Sequence, residues 1–126
     1  MPTFDDVRRL AAGLPEVAEA PSYHGMPALK VQGKPFCRFW SEREHDRDGV
    51  RGSEVIVVFC DEDEKELLLE SSAGEVFTTP HYDGYAALLI RLADVDLATL
   101  SDLLEDSYRS RAPRSLLKGL EDAGGE

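Results

Sequence analysis

A chain of 126 residues, 42% hydrophobic and 31% charged, is predicted to fold as one domain over residues 1–126, with a core that needs no metal or disulfide. No stretch approaches the roughly twenty apolar residues of a membrane helix, and the N-terminus lacks an export signal, so we expect no membrane partner and a cytoplasmic location. The formal net charge of −11 excludes non-specific binding of nucleic acid unless the cations are concentrated on one face.

The two cysteines, Cys37 and Cys60, fall in predicted strands. They form no Cys-x-x-Cys unit and no ligand set with nearby histidines. In a reducing cytoplasm they are predicted to be small buried hydrophobic side chains. A disulfide or a reactive thiol is the alternative.

The first element is predicted to be an amphipathic helix. Thr3 can cap its N-terminus, with Asp6 three residues on in an approximate capping box. Gly13 and Pro15 are expected to end it. Apolar side chains recur at helical spacing and form one stripe, namely Phe4, Val7, Leu10, Ala11 and Leu14.

A β-hairpin is predicted next. Residues 16–22 are interpreted as a connector and residues 23–24 as a short strand. Apolar runs at 28–31 and 34–41 then flank residues 32–33, a Gln-Gly pair typical of a two-residue hairpin loop.

A highly charged segment follows the hairpin. Residues 42–53 carry charges of both signs and two glycines, which leaves almost nothing to bury. We predict an exposed, mobile loop in which His45 is simply solvated. Residues 36–40, just before it, are apolar on both faces except for Arg38, which predicts a strand covered on both sides.

The second half of the chain alternates apolar runs with capped helices. The order predicts an α+β domain, an antiparallel sheet of about five to six strands with helices packed on one face. Residues 122–126 are expected to fray. The predicted elements are a strand over residues 54–60, a helix capped by Asp61, strands over 76–79 and 86–92 around an Asp83-Gly84 turn, a helix capped by Asp96, and a short helix starting at Pro113.

Four segments carry a family pattern, namely Leu14-Pro15-Glu16-Val17, Ser22-Tyr23-His24-Gly25 through Phe36, Thr79-Pro80-His81-Tyr82-Asp83-Gly84-Tyr85, and Ala112-Pro113-Arg114-Ser115-Leu116. With these segments, the chain from about Phe4 to Leu117 resembles the MmcQ/YjbR family of small bacterial proteins. The resemblance implies a frataxin-like α+β layout. It also implies DNA binding, because the family's shape is similar to a double-wing DNA-binding domain, although fold analogy is a poor guide to function. It brings no catalytic residues.

The two Tyr-His segments are hypothesised to form neighbouring walls of one cleft. Flat rings, donors and a cation suit a small anionic or aromatic ligand, or a peptide. The alternative is that these side chains close the end of the sheet and hydrogen-bond turn carbonyls. The predicted ligand-binding residues are Tyr23, His24, Met26, Lys30, Thr79, His81, Tyr82, Tyr85 and Arg114.

A nucleic-acid interface is the hypothesis that the resemblance favours. Cations near the hairpin tip and the C-terminus would contact phosphates while a tyrosine approaches a base or sugar. The alternative is that they neutralise neighbouring carboxylates and helix C-termini. The predicted DNA-contacting residues are Lys30, Lys34, Arg109, Arg111, Arg114 and Lys118.

No motif in the sequence dictates a reaction. His24 or His81 has the residue type for proton transfer, but neither has a nucleophile elbow, and no metal-ligand spacing includes them. We therefore predict a non-enzymatic binding protein without cofactor or metal, as a monomer or weak dimer. Phe39 and Trp40 would be core in a strand, and an exposed interaction patch is the alternative.

Overall fold

The structure, a computed structural model, describes residues 2–21, 25–50, 53–71 and 75–118. These residues form six strands, which are β1 (Val17–Pro21), β2 (Pro27–Val31), β3 (Lys34–Phe39), β4 (Val55–Phe59), β5 (Val76–Phe77) and β6 (Ala87–Arg91). All six pair antiparallel in one sheet with the spatial order β1-β2-β3-β4-β6-β5.

Helices occupy the stretches between and after the strands. The longer ones are α1 (Phe4–Ala12), α2 (Glu42–Asp48), α3 (Glu62–Ser71) and α4 (Leu97–Arg111), with short 3-10 helices at Pro80–Tyr82 and Leu92–Asp94 and a helical segment over residues 114–118. The predicted α+β class and antiparallel sheet are confirmed. None of the helices in the described part of the chain is long and apolar enough to cross a bilayer.

Successive side chains of a strand point to opposite faces of the sheet, and four consecutive residues of β4 and of β6 are buried, so both faces are covered along these strands. On one face Ile56 and Ile90 join the main core, which α1 and α4 cover with Val7 and Leu100. On the other face Val57 belongs to a smaller cluster that includes Trp40, Tyr82 and Leu89. The smaller cluster leaves part of this outer face open, and that is where the candidate site lies.

Local sequence signals place the first and last long helices as predicted. The Thr3 side chain accepts a hydrogen bond from the Asp6 N–H, and the Asp6 carboxylate accepts one from the Thr3 N–H, so the capping box is complete. Asp96 caps α4, with its Oδ1 accepting from the Thr99 N–H at 2.7 Å. Both caps are confirmed.

The β2–β3 hairpin is also confirmed. Its loop residues Gln32 and Gly33 have φ angles of 48° and 81°, the pair of left-handed conformations that a type I′ turn needs. Pro35 has no N–H to donate. Within β3 only Cys37–Phe39 pairs with β4, so this proline lies beyond the end of the β3–β4 ladder.

The first correction concerns residues 16–22, which were predicted to be a connector. Val17–Pro21 is instead the edge strand β1, and it pairs along its whole length with β2. Its Val-Ala-Glu-Ala-Pro sequence has little intrinsic strand preference, so pairing with β2 decides its conformation. The strand predicted at Tyr23-His24 lies outside the described residues.

The second correction concerns residues 42–53, because the predicted exposed loop is wrong for Glu42–Asp48. These residues form α2, which begins with a capping box between Ser41 and Glu44 and ends at Gly49 in the left-handed conformation. Glu44 is buried, and His45 is not simply solvated, since its Nδ1 lies 2.7 Å from the Val50 carbonyl oxygen. The charged composition is misleading here because the charge of Glu44 is buried and paired with Arg38.

The two cysteines are free and buried, as predicted. Burial raises the pKa of Cys60 to about 11 and raises that of Cys37 as well, so neither thiol is a thiolate near neutral pH. Phe39 and Trp40 are confirmed as core side chains.

Candidate functional site

The open part of the outer sheet face is a groove of about 580 Å³. Its floor is the sheet itself, at Val57 of β4 and Ala87 of β6. Its walls come from four separate parts of the chain, which are β3, α2, the 80–85 turn and the end of α4. Its principal side chains are Arg38, Arg47, Phe59, His81, Tyr82, Tyr85 and Arg111.

A buried polar network fixes one wall of the groove. The Tyr82 hydroxyl accepts hydrogen bonds from Arg38 Nη2 and Trp40 Nε1, both at 3.0 Å. The same hydroxyl lies 3.3 Å from Glu44 Oε2, to which it donates. The network therefore joins β3, α2 and the 80–82 turn at one point.

Glu44 and Arg38 form the charged centre of this network. Arg38 donates from Nη1 and Nη2 to the two oxygens of Glu44 at 2.7 and 2.8 Å, a bidentate pair. Glu44 is only 1% exposed, and it also accepts from the Ser41 N–H at 3.1 Å. Burial opposes ionisation of Glu44, but the bonds from Arg38 and Ser41 outweigh it and hold its pKa below the usual range.

This depressed pKa predicts an acid-sensitive contribution to stability. The wild type should be more stable to unfolding than Glu44→Gln. We expect this difference in unfolding free energy to be largest above the pKa of an unfolded glutamate, about 4.3. It should shrink as the pH falls through the lower folded pKa, because the unfolded state binds the proton first. Urea unfolding of both proteins between neutral pH and about pH 3 measures the difference. A difference that grew on acidification would contradict the ion pair.

A second, less buried pair holds the neighbouring wall. Arg47 donates from Nε and Nη2 to the carboxylate of Asp48 at 2.9 and 3.0 Å, and Thr79 Oγ1 donates to the same carboxylate at 3.0 Å. The bond from Arg47 is the main reason that the pKa of Asp48 lies below its ordinary value. The Arg47 guanidinium carbon also lies 5.7 Å from the centre of the Tyr82 ring.

Arg111 is the third guanidinium of the groove, and its charge is not neutralised in the same way. Ser107, one turn earlier in α4, donates from Oγ to the Phe36 carbonyl oxygen and accepts from the Phe59 N–H, which ties α4 to β3 and β4. Arg111 follows Ser107 by one helical turn, and its guanidinium carbon lies 4.8 Å from the centre of the Phe59 ring. Within the described ranges, no carboxylate forms an ion pair with Arg111.

The aromatic wall is the turn between Thr79 and Ala87. The rings of His81 and Tyr85 stack with centroids 6.0 Å apart and planes 22° apart. Lys65, buried in α3, donates from Nζ to the carbonyl oxygens of Tyr82 and Tyr85, each at 2.8 Å. Lys65 thus holds the backbone of the turn, while the side chains of His81, Tyr82 and Tyr85 line the groove.

A second cavity of about 530 Å³ lies near the first turns of α1 and α2. Aromatic and acidic side chains line it, namely Phe4, Trp40, Glu42, His45 and Glu54, together with Met26 and Ser53. Trp40 links the two cavities, since it lines this one and donates to Tyr82 in the other.

Comparison with known proteins decides the family. The family model described as YjbR matches residues 12–110. The chain belongs to the YjbR family. An uncharacterized protein of Mycobacterium bovis and those of two strains of Mycobacterium tuberculosis are each 34% identical to it over 128 residues, covering 94% of this chain and 95% of the relative. The resemblance noted from the sequence is therefore confirmed.

The predicted ligand-binding residues of this YjbR protein are divided among several places. His81, Tyr82 and Tyr85 line the groove, whereas Met26 lines the second cavity. Thr79 does not line the groove. It is buried and donates to the Asp48 carboxylate, which also pairs with Arg47 of the groove. Tyr23 and His24 lie outside the described residues, and their meeting with the 79–85 segment stays a prediction.

The remaining predicted cations are also spread out. Arg109 is paired with Glu105 at 3.1 Å, and of the predicted DNA-contacting set only Arg111 is among the described residues that line the groove. Lys30 is half-buried in β2, opposite Ala18 and Pro35 of its neighbouring strands. The others are exposed, namely Lys34 at the start of β3 and Arg114 and Lys118 in the 114–118 helix.

Sequence reasoning missed five residues that build the site, namely Arg38, Glu44, Arg47, Phe59 and Lys65. Two of them carried a readable signal. Arg38 interrupts an apolar strand, and a buried charge needs a partner. Ser41-x-x-Glu44 is a capping-box sequence, which marks the start of a helix.

The described residues bring together no group of three or more His, Cys, Asp or Glu side chains able to hold a metal ion.

Proposed function

We propose that this YjbR protein binds a small organic anion in the outer-face groove. One observation carries the proposal. Arg111 lines the groove without a carboxylate partner among the described residues, while Arg38 and Arg47 are each neutralised by a bidentate carboxylate. Counted over the described residues, the groove therefore has one positive charge in excess, in a chain whose net charge is −11.

The size and charge of the groove favour a small ligand over a polymer. Its volume of about 580 Å³ falls within the range of small-molecule sites, roughly 300–1,000 Å³. A duplex would bring many phosphates toward a surface that is acidic overall, and one uncompensated arginine releases few counterions. A single anionic group needs only the one cation that the groove supplies.

The test measures whether anions raise the melting temperature. The probes are 2-naphthoate, phenyl phosphate and citrate, each with a neutral counterpart such as 2-naphthamide. We expect at least one anion to raise the melting temperature with dose while its neutral counterpart does not. Arg111→Gln should weaken that anion about tenfold or more, because it removes a charge-assisted hydrogen bond.

The matched control is Arg109→Gln on the same helix. Arg109 is exposed and already paired with Glu105, so this variant loses one positive charge without changing the groove. It should keep the wild-type affinity. Two results would overturn the proposal, namely no shift with any anion at millimolar concentration, or salt-sensitive binding of a mixed-sequence duplex that Arg109→Gln weakens as much as Arg111→Gln.

A further inference from the structure

Tyr85 is the one exposed aromatic side chain among the large apolar residues of the described chain. Tyr85 is 57% exposed as a residue, and the two other exposed members of that class are Leu67 and Leu97. Its ring does not project freely into solvent, since it stacks on His81 and meets Tyr82 edge-on at 6.2 Å. A flat face is thus kept at the groove wall, where water covers it when the groove is empty.

Three hydrogen bonds hold the backbone beneath this ring. Lys65 Nζ donates to the carbonyl oxygens of Tyr82 and Tyr85, and the Tyr85 N–H donates to the Tyr82 carbonyl oxygen at 3.1 Å. Lys65 is itself buried, so its bond to the Tyr82 carbonyl oxygen is shielded from water. A ligand that stacks on Tyr85 has little ordering entropy to overcome, because the turn is already in place.

The groove combines this platform with a cation on a second ring. Arg111 lies over Phe59, and both side chains line the same groove as Tyr85. A ligand that uses the whole groove needs an anionic group for Arg111 and a flat surface for Tyr85. Aromatic faces prefer other flat, unsaturated groups over saturated ones of equal size.

We infer that the ligand carries its anionic group on a flat unsaturated ring system, and that Tyr85 selects for this ring by stacking. The inference rests on the proposed anion site and adds the chemical class of its ligand. Tyr85 acts in specificity, whereas Arg111 supplies the attraction for charge.

The experiment compares two anions of the same charge and similar size, 2-naphthoate and its saturated analogue decahydro-2-naphthoate. Isothermal titration of the wild type should give an affinity about tenfold higher for 2-naphthoate. Tyr85→Leu keeps an apolar side chain without a flat face, so it should reduce this ratio to about one. Tyr85→Phe keeps the ring and should preserve the ratio, as should the surface control Leu67→Ala.

The outcomes separate this inference from the proposed function. Equal affinity of both anions, with both lost in Arg111→Gln, would overturn the ring preference and leave the anion site standing. If neither anion binds while phenyl phosphate or citrate still raises the melting temperature, the ring preference alone is overturned, and if none of these anions binds, both statements are overturned. A short single-stranded oligonucleotide that binds more tightly than 2-naphthoate and is weakened by Tyr85→Leu would also overturn both, because it would assign the groove to nucleic acid.

Discussion

Glu44→Ala is expected to lower the free energy of unfolding by about 3–5 kcal/mol, since it breaks the bidentate ion pair between the buried Glu44 carboxylate and the part-buried Arg38 guanidinium. The same change removes an acceptor from the Tyr82 hydroxyl and from the Ser41 N–H. Urea unfolding at pH 7 measures the loss, with the fluorescence of Trp40, the single tryptophan, as the probe. The midpoint should fall while the slope stays near the wild-type value.

Two further variants identify the cause of this loss. Glu42→Ala changes an exposed glutamate on the same helix and should stay within about 0.5 kcal/mol of the wild type. The double variant Arg38→Met with Glu44→Leu removes both charges and should recover more than half of the loss, because apolar side chains can replace a buried pair. If Glu42→Ala and Glu44→Ala cost the same, the buried pair would not be what holds α2 in place.

Elements whose signals are local could be predicted from the sequence. Thr3 with Asp6 and Asp96 with Thr99 each lie within one helical turn, so their caps depend on nothing distant. The Gln32-Gly33 loop is likewise decided by two residues and the strands beside it.

Elements decided by distant partners could not be predicted. β1 has weak strand preference and forms because β2 offers a complete ladder of partners. α2 looked like a solvated loop because its composition does not reveal that Glu44 would meet Arg38 and Tyr82. The Ser41-x-x-Glu44 sequence marks the start of this helix, whereas the charge and glycine content of residues 42–53 favours a loop.

In the candidate site, too, features with local sequence signals could be predicted and features that depend on distant partners could not. The turn within the 79–85 segment can be predicted because its Asp83-Gly84 pair marks it, and Gly84 has a φ of 85°. The guanidinium groups that meet it come from β3, α2 and α4, so only the folded topology brings Arg38, Arg47 and Arg111 to one groove. A prediction from residue types alone therefore finds the aromatic wall of such a groove and misses the walls from β3, α2 and α4.

Trp40→Ala is expected to cost about 3–5 kcal/mol of unfolding free energy, the usual range for truncating a buried tryptophan. The Trp40 ring is 2% exposed, meets His45 edge-on at 5.0 Å and donates its Nε1–H to the Tyr82 hydroxyl. It therefore supports α2 and the 80–82 turn at the same time, and its loss removes packing between the two cavities.

Because the fluorescent probe is lost in this variant, far-UV circular dichroism during urea unfolding is the suitable measurement. Trp40→Phe keeps a ring but not the N–H donor, and it should cost less than Trp40→Ala, about 1–2 kcal/mol. Leu67→Ala, at a side chain that is 65% exposed, serves as the surface control and should change little. A cost for Trp40→Ala no greater than that for Leu67→Ala would place Trp40 outside the core and leave Tyr82 without the support described for it.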